Sequence, residues 1–135
     1  MRRLAVACLF ATTPAWAQAD LSTCSFPSGF SVANVASSDP YGGVWVGSWD
    51  GRLTHTLIVD QVNGATAHGY YVVDDYAPWG VDAGCWEFDG EISEGSLVIN
   101  FGTAVVVTYN QDGEDLTASW WSSNTGGTPG ALTRQ

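Results

Sequence analysis

From residue 43 onward, hydrophobic positions fall in short runs of Val, Ile, Thr, Trp and Tyr, with polar breaks at close intervals. The breaks are Asp50-Gly51, Asn63-Gly64, Glu94-Gly95, Gly102-Thr103, Asp112-Gly113 and the Gly-rich stretch Thr125 to Gly130. No heptad or 3.6-residue repeat runs through this region. Short β-prone runs separated by Gly-containing turns are the pattern of consecutive hairpins. They predict strands at 44–50, 52–62, 65–74, 85–92, 96–101, 104–110, 115–121 and 130–134. Tight turns make sequential strands antiparallel neighbours. A flat meander of eight strands would leave two open edges, which closure removes. The expected fold is therefore all-β, an eight-stranded antiparallel up-and-down barrel. At eight strands its interior is either filled by side chains or holds one small ligand.

The hairpins carry registers that sort the faces. A turn at Glu94-Gly95 pairs Ile92 with Leu97, Gly90 with Ile99 and Phe88 with Phe101. With Trp86 these form one apolar face, and Glu87, Asp89 and Glu91 face water. A turn at Asp112-Gly113 pairs Tyr109 with Leu116, Val107 with Ala118 and Val105 with Trp120. The first three strands are apolar on both sides. Two-residue turns at Asp50-Gly51 and Asn63-Gly64 place Trp45, Trp49, Thr54, Thr56, Ile58, Tyr71 and Val73 inside. The same register places Val44, Val46, Leu53, Leu57, Val59, Tyr70 and Val72 outside, with His55 and His68. Seven apolar side chains on adjoining strands would make a patch of roughly several hundred Å², at the limit of what soluble monomers leave bare. The sequence thus predicts self-association, a stable partner, or cover from residues 18–42 pinned by Cys24.

The N-terminal region has a different texture. Arg2 and Arg3, the apolar run Leu4 to Ala11 and the Ala15-Trp16-Ala17 site read as a signal peptide over 1–17. The apolar run is too short for a bilayer span, which takes roughly 20 residues. Residues 18–42, rich in Ser, Ala, Gly and Pro, read as an irregular lead-in with one helical turn near 32–36. The barrel domain follows at 43–135. Removal of Arg2 and Arg3 moves the net charge from −10 to −12, with only Arg52 and Arg134 left as fixed cations. Such a chain would be repelled by nucleic acid and by anionic membranes, so neither is an expected partner. Processing also removes Cys8. The remaining pair, Cys24 and Cys85, reads as a disulfide in an oxidising compartment, periplasmic or secreted.

Gly43-Val44-Trp45 resembles the Gly-x-Trp that opens the first strand of calycins, the group of lipocalins and avidins. Many lipocalins place an Arg of the last strand over that Trp, and Arg134 stands in the corresponding strand. A guanidinium on an indole is worth roughly 0.5–2 kcal/mol, depending on burial. His55-Thr56-Leu57-Ile58-Val59, the following Asn-Gly turn and Gly69-Tyr70-Tyr71 are similar to the second and third strands of avidins, and Trp120 has a counterpart in position. The likeness spans 43–134 and implies a calycin-like barrel. Biotin binding does not carry over, because its polar contacts have no residue-by-residue match. The run Trp45-Val46-Gly47-Ser48-Trp49-Asp50-Gly51 also resembles small domains of exported bacterial proteins.

No catalytic motif stands out, and the chain does not read as an enzyme. His55 and His68, with Asp74, offer zinc-type ligands, but the register separates the rings along the hairpin. No Ser occupies a Gly-x-Ser-x-Gly elbow. Asn110 to Asp115 lacks the spacing of a calcium loop. Glu87, Asp89 and Glu91 form an exterior ladder rather than converging carboxylates. No metal or cofactor is expected. The aromatic inventory is the informative feature: outside the signal stand six Trp, five Tyr and four Phe. Trp45, Trp49, Tyr71, Trp86 and Trp120 fall on inward faces. Tyr76 and Trp79 sit in the longest loop, 74–84, where binding residues gather over a barrel mouth. These seven are the candidate ligand-binding residues, with Arg134 structural. The leading expectation is an exported binder of a small apolar or aromatic ligand. An interaction module, such as an inhibitor of an exported hydrolase, and a surface carbohydrate binder are the alternatives, and a homo-oligomer or protein partner would suit the outer face.

Overall fold

The computed structural model describes residues 17–135, so Cys8 and most of the expected signal segment lie outside the described residues. The eight strands are β1 (Gly43–Trp49), β2 (Leu53–Asn63), β3 (Thr66–Val73), β4 (Gly84–Ser93), β5 (Ser96–Phe101), β6 (Val105–Asp112), β7 (Asp115–Ser122) and β8 (Gly126–Arg134). Each pairs antiparallel with the next, and β1 pairs with β8, closing an up-and-down barrel. Among the described residues no helix is long and apolar enough to cross a membrane.

The expected faces hold on every strand but one. The first turn closes as read, with Arg52 N–H donating to the Trp49 carbonyl and both Asp50 and Gly51 at positive φ. Arg52 is then left out of the ladder, and Trp49 pairs with Leu53. That single extra residue turns β2 over, because side chains alternate with a period of two. Leu53, Leu57 and Val59 therefore join the barrel core with Trp45 and Trp49, contrary to the expected exterior placement. His55 is buried with them, and Thr56 and Ile58 face outward. A bulge follows: Val59 pairs with Gly69 but Gln61 with His68, leaving Asp60 unpaired. The bulge turns the chain over again, so Tyr71 and Val73 point inward and Tyr70 and Val72 outward, as the sequence implied.

The Asn63-Gly64 and Asp112-Gly113 turns sit one residue later than read. Asn63 pairs with Thr66 and Asp112 with Asp115, so Gly64 and Gly113, both at φ 65°, lead their two-residue loops. Type II′ turns require Gly at that first position. The β6–β7 register consequently slides by two, with Tyr109 opposite Ala118 and Val107 opposite Trp120. A slide of two leaves the faces unchanged. The β4–β5 hairpin turns as expected, with Ile92 opposite Leu97, though its ladder ends at Glu91 and Val98. The Gly-rich stretch after Thr125 is strand rather than turn, and β8 runs from Gly126. Glycine is needed there at position 130, where a Cβ would lie 2.7 Å from Trp49 Cε3.

The lead-in covers the outer face of β1–β3, the third of the expected outcomes for that patch. Ala19, Val44, Ile58, Tyr70 and Val72 form a second buried cluster, with Phe26, Phe30, Val32 and Val35 packed on it. Phe26 meets the Tyr70 ring edge-on at 4.9 Å. Ala19 N–H donates to Thr56 Oγ1 at 2.8 Å and Asp20 N–H to Asp74 Oδ1 at 2.7 Å. Short 3-10 turns at Leu21–Thr23 and Val32–Asn34 shape the segment. Cys24 and Cys85 form a disulfide that ties it to β4.

Candidate functional site

The barrel has one closed end and one open end. At the closed end, Trp45 Nε1 donates to the Tyr41 carbonyl at 2.9 Å, and the Tyr41 hydroxyl donates to the Gly95 carbonyl at 2.5 Å. The Arg134 guanidinium lies 4.3 Å from the Trp45 ring centroid, the stacking that the Gly-x-Trp resemblance implied. Its nitrogens also donate to Asp39 Oδ1 and to the Ser38 and Pro40 carbonyls at 3.2–3.3 Å. Trp45 therefore plugs the closed end and does not line the cavity at the other.

The other end holds a cavity of about 670 Å³. Its wall is built where β1, β3, β5 and β7 end and β2, β4, β6 and β8 begin. Trp49, Tyr71, Trp86 and Trp120 line it, as expected from their inward registers, together with Trp79 from the 74–83 loop. Sequence reasoning missed Leu53, because β2 was read inside out, and Phe101 and Val105, which adjoin the glycine-led turn at 102–104. Tyr76 does not line the cavity. It packs against the barrel core and meets Trp79 edge-on at 5.1 Å, so it supports the Trp above the mouth.

The 74–83 loop is itself a built structure. Tyr76 and Val81 exchange backbone hydrogen bonds of 2.8 and 3.1 Å, and Asp75 Oδ1 accepts from Ala83 N–H at 2.7 Å. Trp79 N–H donates back to the Tyr76 carbonyl at 3.1 Å, inside a 3-10 turn over Ala77–Trp79. These bonds fix Trp79 over the opening while leaving it 38 % exposed. Trp86, 46 % exposed, forms the facing rim and meets Tyr71 edge-on at 6.0 Å.

Below the cavity lies a stack of polar aromatics. His55 stacks on Trp49 at 5.2 Å and tilts against Tyr71 at 4.4 Å. Its Nδ1–H donates to the Val72 carbonyl and its Nε2 accepts from the Tyr109 hydroxyl, both at 2.8 Å. The carbonyl can only accept, which fixes the tautomer. Burial pushes the imidazole down to about 4, against a small opposing pull from the Val72 carbonyl. Burial likewise holds the Tyr71 and Tyr109 phenols well above their ordinary range. Charge is thus costly throughout the barrel interior.

His68 lies on the outer surface, so the two histidines do not share a face as the sequence register placed them. Its ring nitrogens donate in opposite directions, to Asp60 Oδ1 at 2.7 Å and Glu87 Oε2 at 2.6 Å. These three groups do not converge on one point, and no metal-binding group of three or more His, Cys, Asp or Glu occurs among the described residues. Partial burial opposes charge on His68, but the hydrogen bonds to Glu87 and Asp60 and their charges outweigh it and raise the imidazole. Neither a family model nor a curated protein matches this chain, so the eight-stranded closed barrel is its nearest description.

Proposed function

We propose that the chain is an exported, calycin-like binding protein that takes a small apolar or aromatic ligand into the open end of its barrel. The observation that carries this reading is the cavity of about 670 Å³, walled by Trp49, Tyr71, Trp79, Trp86, Phe101 and Trp120. Ligand sites of this size are concave, mostly apolar and few per protein. The Cys24–Cys85 disulfide suits an oxidising compartment, which supports export. A binder fits better than an enzyme, because both nitrogens of the interior histidine are already occupied by Val72 and Tyr109.

An interaction module would use the lead-in, the 74–84 loop or the outer aliphatic face; the lead-in and that face pack on each other, which leaves the loop as its surface. Carbohydrate binding stays as a second reading, because Trp79 and Trp86 present half-exposed rings on the rim. Titration with N-phenyl-1-naphthylamine, followed by tryptophan and probe fluorescence, separates these readings. Saturable one-to-one binding is expected, weakened by Trp79→Ala and Trp120→Ala and unchanged by Trp121→Ala on the outer wall. Absence of saturation, or equal loss in all three variants, would overturn the barrel-ligand reading; binding of oligosaccharides that depends on Trp79 and Trp86 alone would favour the second.

A further inference from the structure

The cavity wall contains a buried donor with no partner of full geometry. Trp49 is 2 % exposed and lines the cavity, yet its Nε1–H has no hydrogen-bond partner among the described residues. Buried donors are nearly always paired, and an unpaired one costs about 1–3 kcal/mol. The ring cannot turn away. Its benzo edge is packed on Gly130, so close that a Cβ there would lie 2.7 and 2.9 Å from Cε3 and Cζ3. One face is stacked on His55. The opposite, pyrrole edge carries the N–H toward Tyr71, whose ring stands 6.5 Å away; the indole acts on the phenol against the effect of its burial, yet no hydrogen bond of full geometry closes between the two. The Tyr71 hydroxyl stands beside it, so two groups able to donate lie side by side on the cavity wall.

Resting on the cavity reading above, we infer that the ligand is an uncharged apolar molecule with a carbonyl-type oxygen that accepts from Trp49 Nε1–H beside the Tyr71 hydroxyl. A neutral acceptor is required for two reasons. Apart from Thr125 and Thr128 the surrounding side chains are aromatic or aliphatic, and none is cationic, so a carboxylate would enter with no cation to meet it. The approach is also lined with acids: Asp50, Asp74, Asp75 and Asp82 lie in the loops flanking the mouth, against Arg52 alone. A pure hydrocarbon would fit the volume but leave the indole N–H unpaired. A carbonyl oxygen has two lone pairs and can take both donors at once.

The test compares 2-acetylnaphthalene with 2-ethylnaphthalene, which share size and shape but differ in the acceptor. With the unaltered chain labelled with ¹⁵N, the Trp49 indole N–H resonance should move downfield on adding the ketone and stay near its place with the hydrocarbon. The ketone-to-hydrocarbon affinity ratio should fall about tenfold in Trp49→Phe, the effect of one hydrogen bond to a buried donor. Saturable binding of both probes with an unmoved Trp49 resonance would overturn the anchor while leaving the cavity reading intact. Failure of both probes to bind would overturn the cavity reading and the anchor with it. Should Trp49→Phe not fold, the resonance shift in the unaltered chain decides.

Discussion

The Tyr109 hydroxyl donates to His55 Nε2 at 2.8 Å, across the barrel from β6 to β2. This bond answers the one ring nitrogen that the Val72 carbonyl leaves open. It therefore holds a neutral imidazole in a place where a charged one could not be solvated.

Stability should accordingly fall on mild acidification. His55 stays neutral in the fold down to about 4, while an unfolded histidine protonates near 6.5. The unfolded state then binds the extra proton, so the contribution of His55 is full above 6.5 and is lost as pH falls toward 4. Thermal melts between pH 7 and 5 should show a decline that His55→Gln flattens. Tyr109→Phe should cost about 1–3 kcal/mol at neutral pH by leaving Nε2 unpaired.

His68 works in the opposite sense. Its proton is held in the fold by Asp60 and Glu87, so its imidazole titrates above the usual 6.5. Its contribution is full below 6.5 and is lost as pH rises through the raised value. Melts from pH 6.5 to 9 should decline in the natural chain and less so in His68→Gln. The pair is exposed on the Glu87 side, so the effect should be under about 1 kcal/mol. Taken by themselves, the two histidines favour the fold most between pH 6.5 and the raised value of His68.

Reducing the disulfide should release the lead-in rather than open the barrel. Cys24 is joined to β4 across 61 residues of sequence, and the segment it anchors covers Val44, Ile58, Tyr70 and Val72. Loss of the bond should remove about 2–4 kcal/mol in the chain-entropy model. Hydrogen exchange after reduction should rise first at residues 19–35 and at the outward amides of β1–β3, with new binding of a hydrophobic dye. Uniform exchange across all eight strands would count against this order.

Leu57 distinguishes the two ways of facing β2. Leu57 is fully buried in the barrel. Leu57→Ala should cost about 2–5 kcal/mol, and Leu57→Glu should prevent folding instead of dissociating an oligomer. A folded, stable Leu57→Glu chain would mean that β2 faces the other way.

Most of the barrel can be read from local chemistry, and the exceptions share one cause. Glu94-Gly95 announces its hairpin because both residues take positive φ, and the alternation of Trp86, Phe88 and Ile92 with Glu87, Asp89 and Glu91 fixes its faces. The strand β2 resists such reading because Leu53, Leu57 and Val59 alternate with Thr56 and Ile58, and both sides end up buried. One side meets the barrel core and the other meets the lead-in. Polarity cannot then choose between registers, and the choice falls to Arg52 and Asp60, two residues omitted from the ladder. Trp49, Tyr71, Trp86 and Trp120 were legible as inward aromatics. Trp45 was equally inward, but which end of the barrel it occupies depends on Tyr41 reaching Gly95, a contact that no local pattern encodes.

The seam between β1 and β8 sets the order of assembly. Trp45 pairs with Arg134 and Val46 with Thr133, residues nearly the whole barrel apart in sequence. Hairpins β2 to β7 can form from neighbouring segments, but this last ladder must wait until the chain is complete through Arg134. Joining such distant partners is slow, because the entropy of closing the loop is spent before its contacts form. During that wait Trp45 lacks its guanidinium cover and the closed end stays ajar. Until that last strand arrives, the facing edges of β1 and β8 stay unpaired, so the seam is the ladder whose absence leaves the whole barrel open.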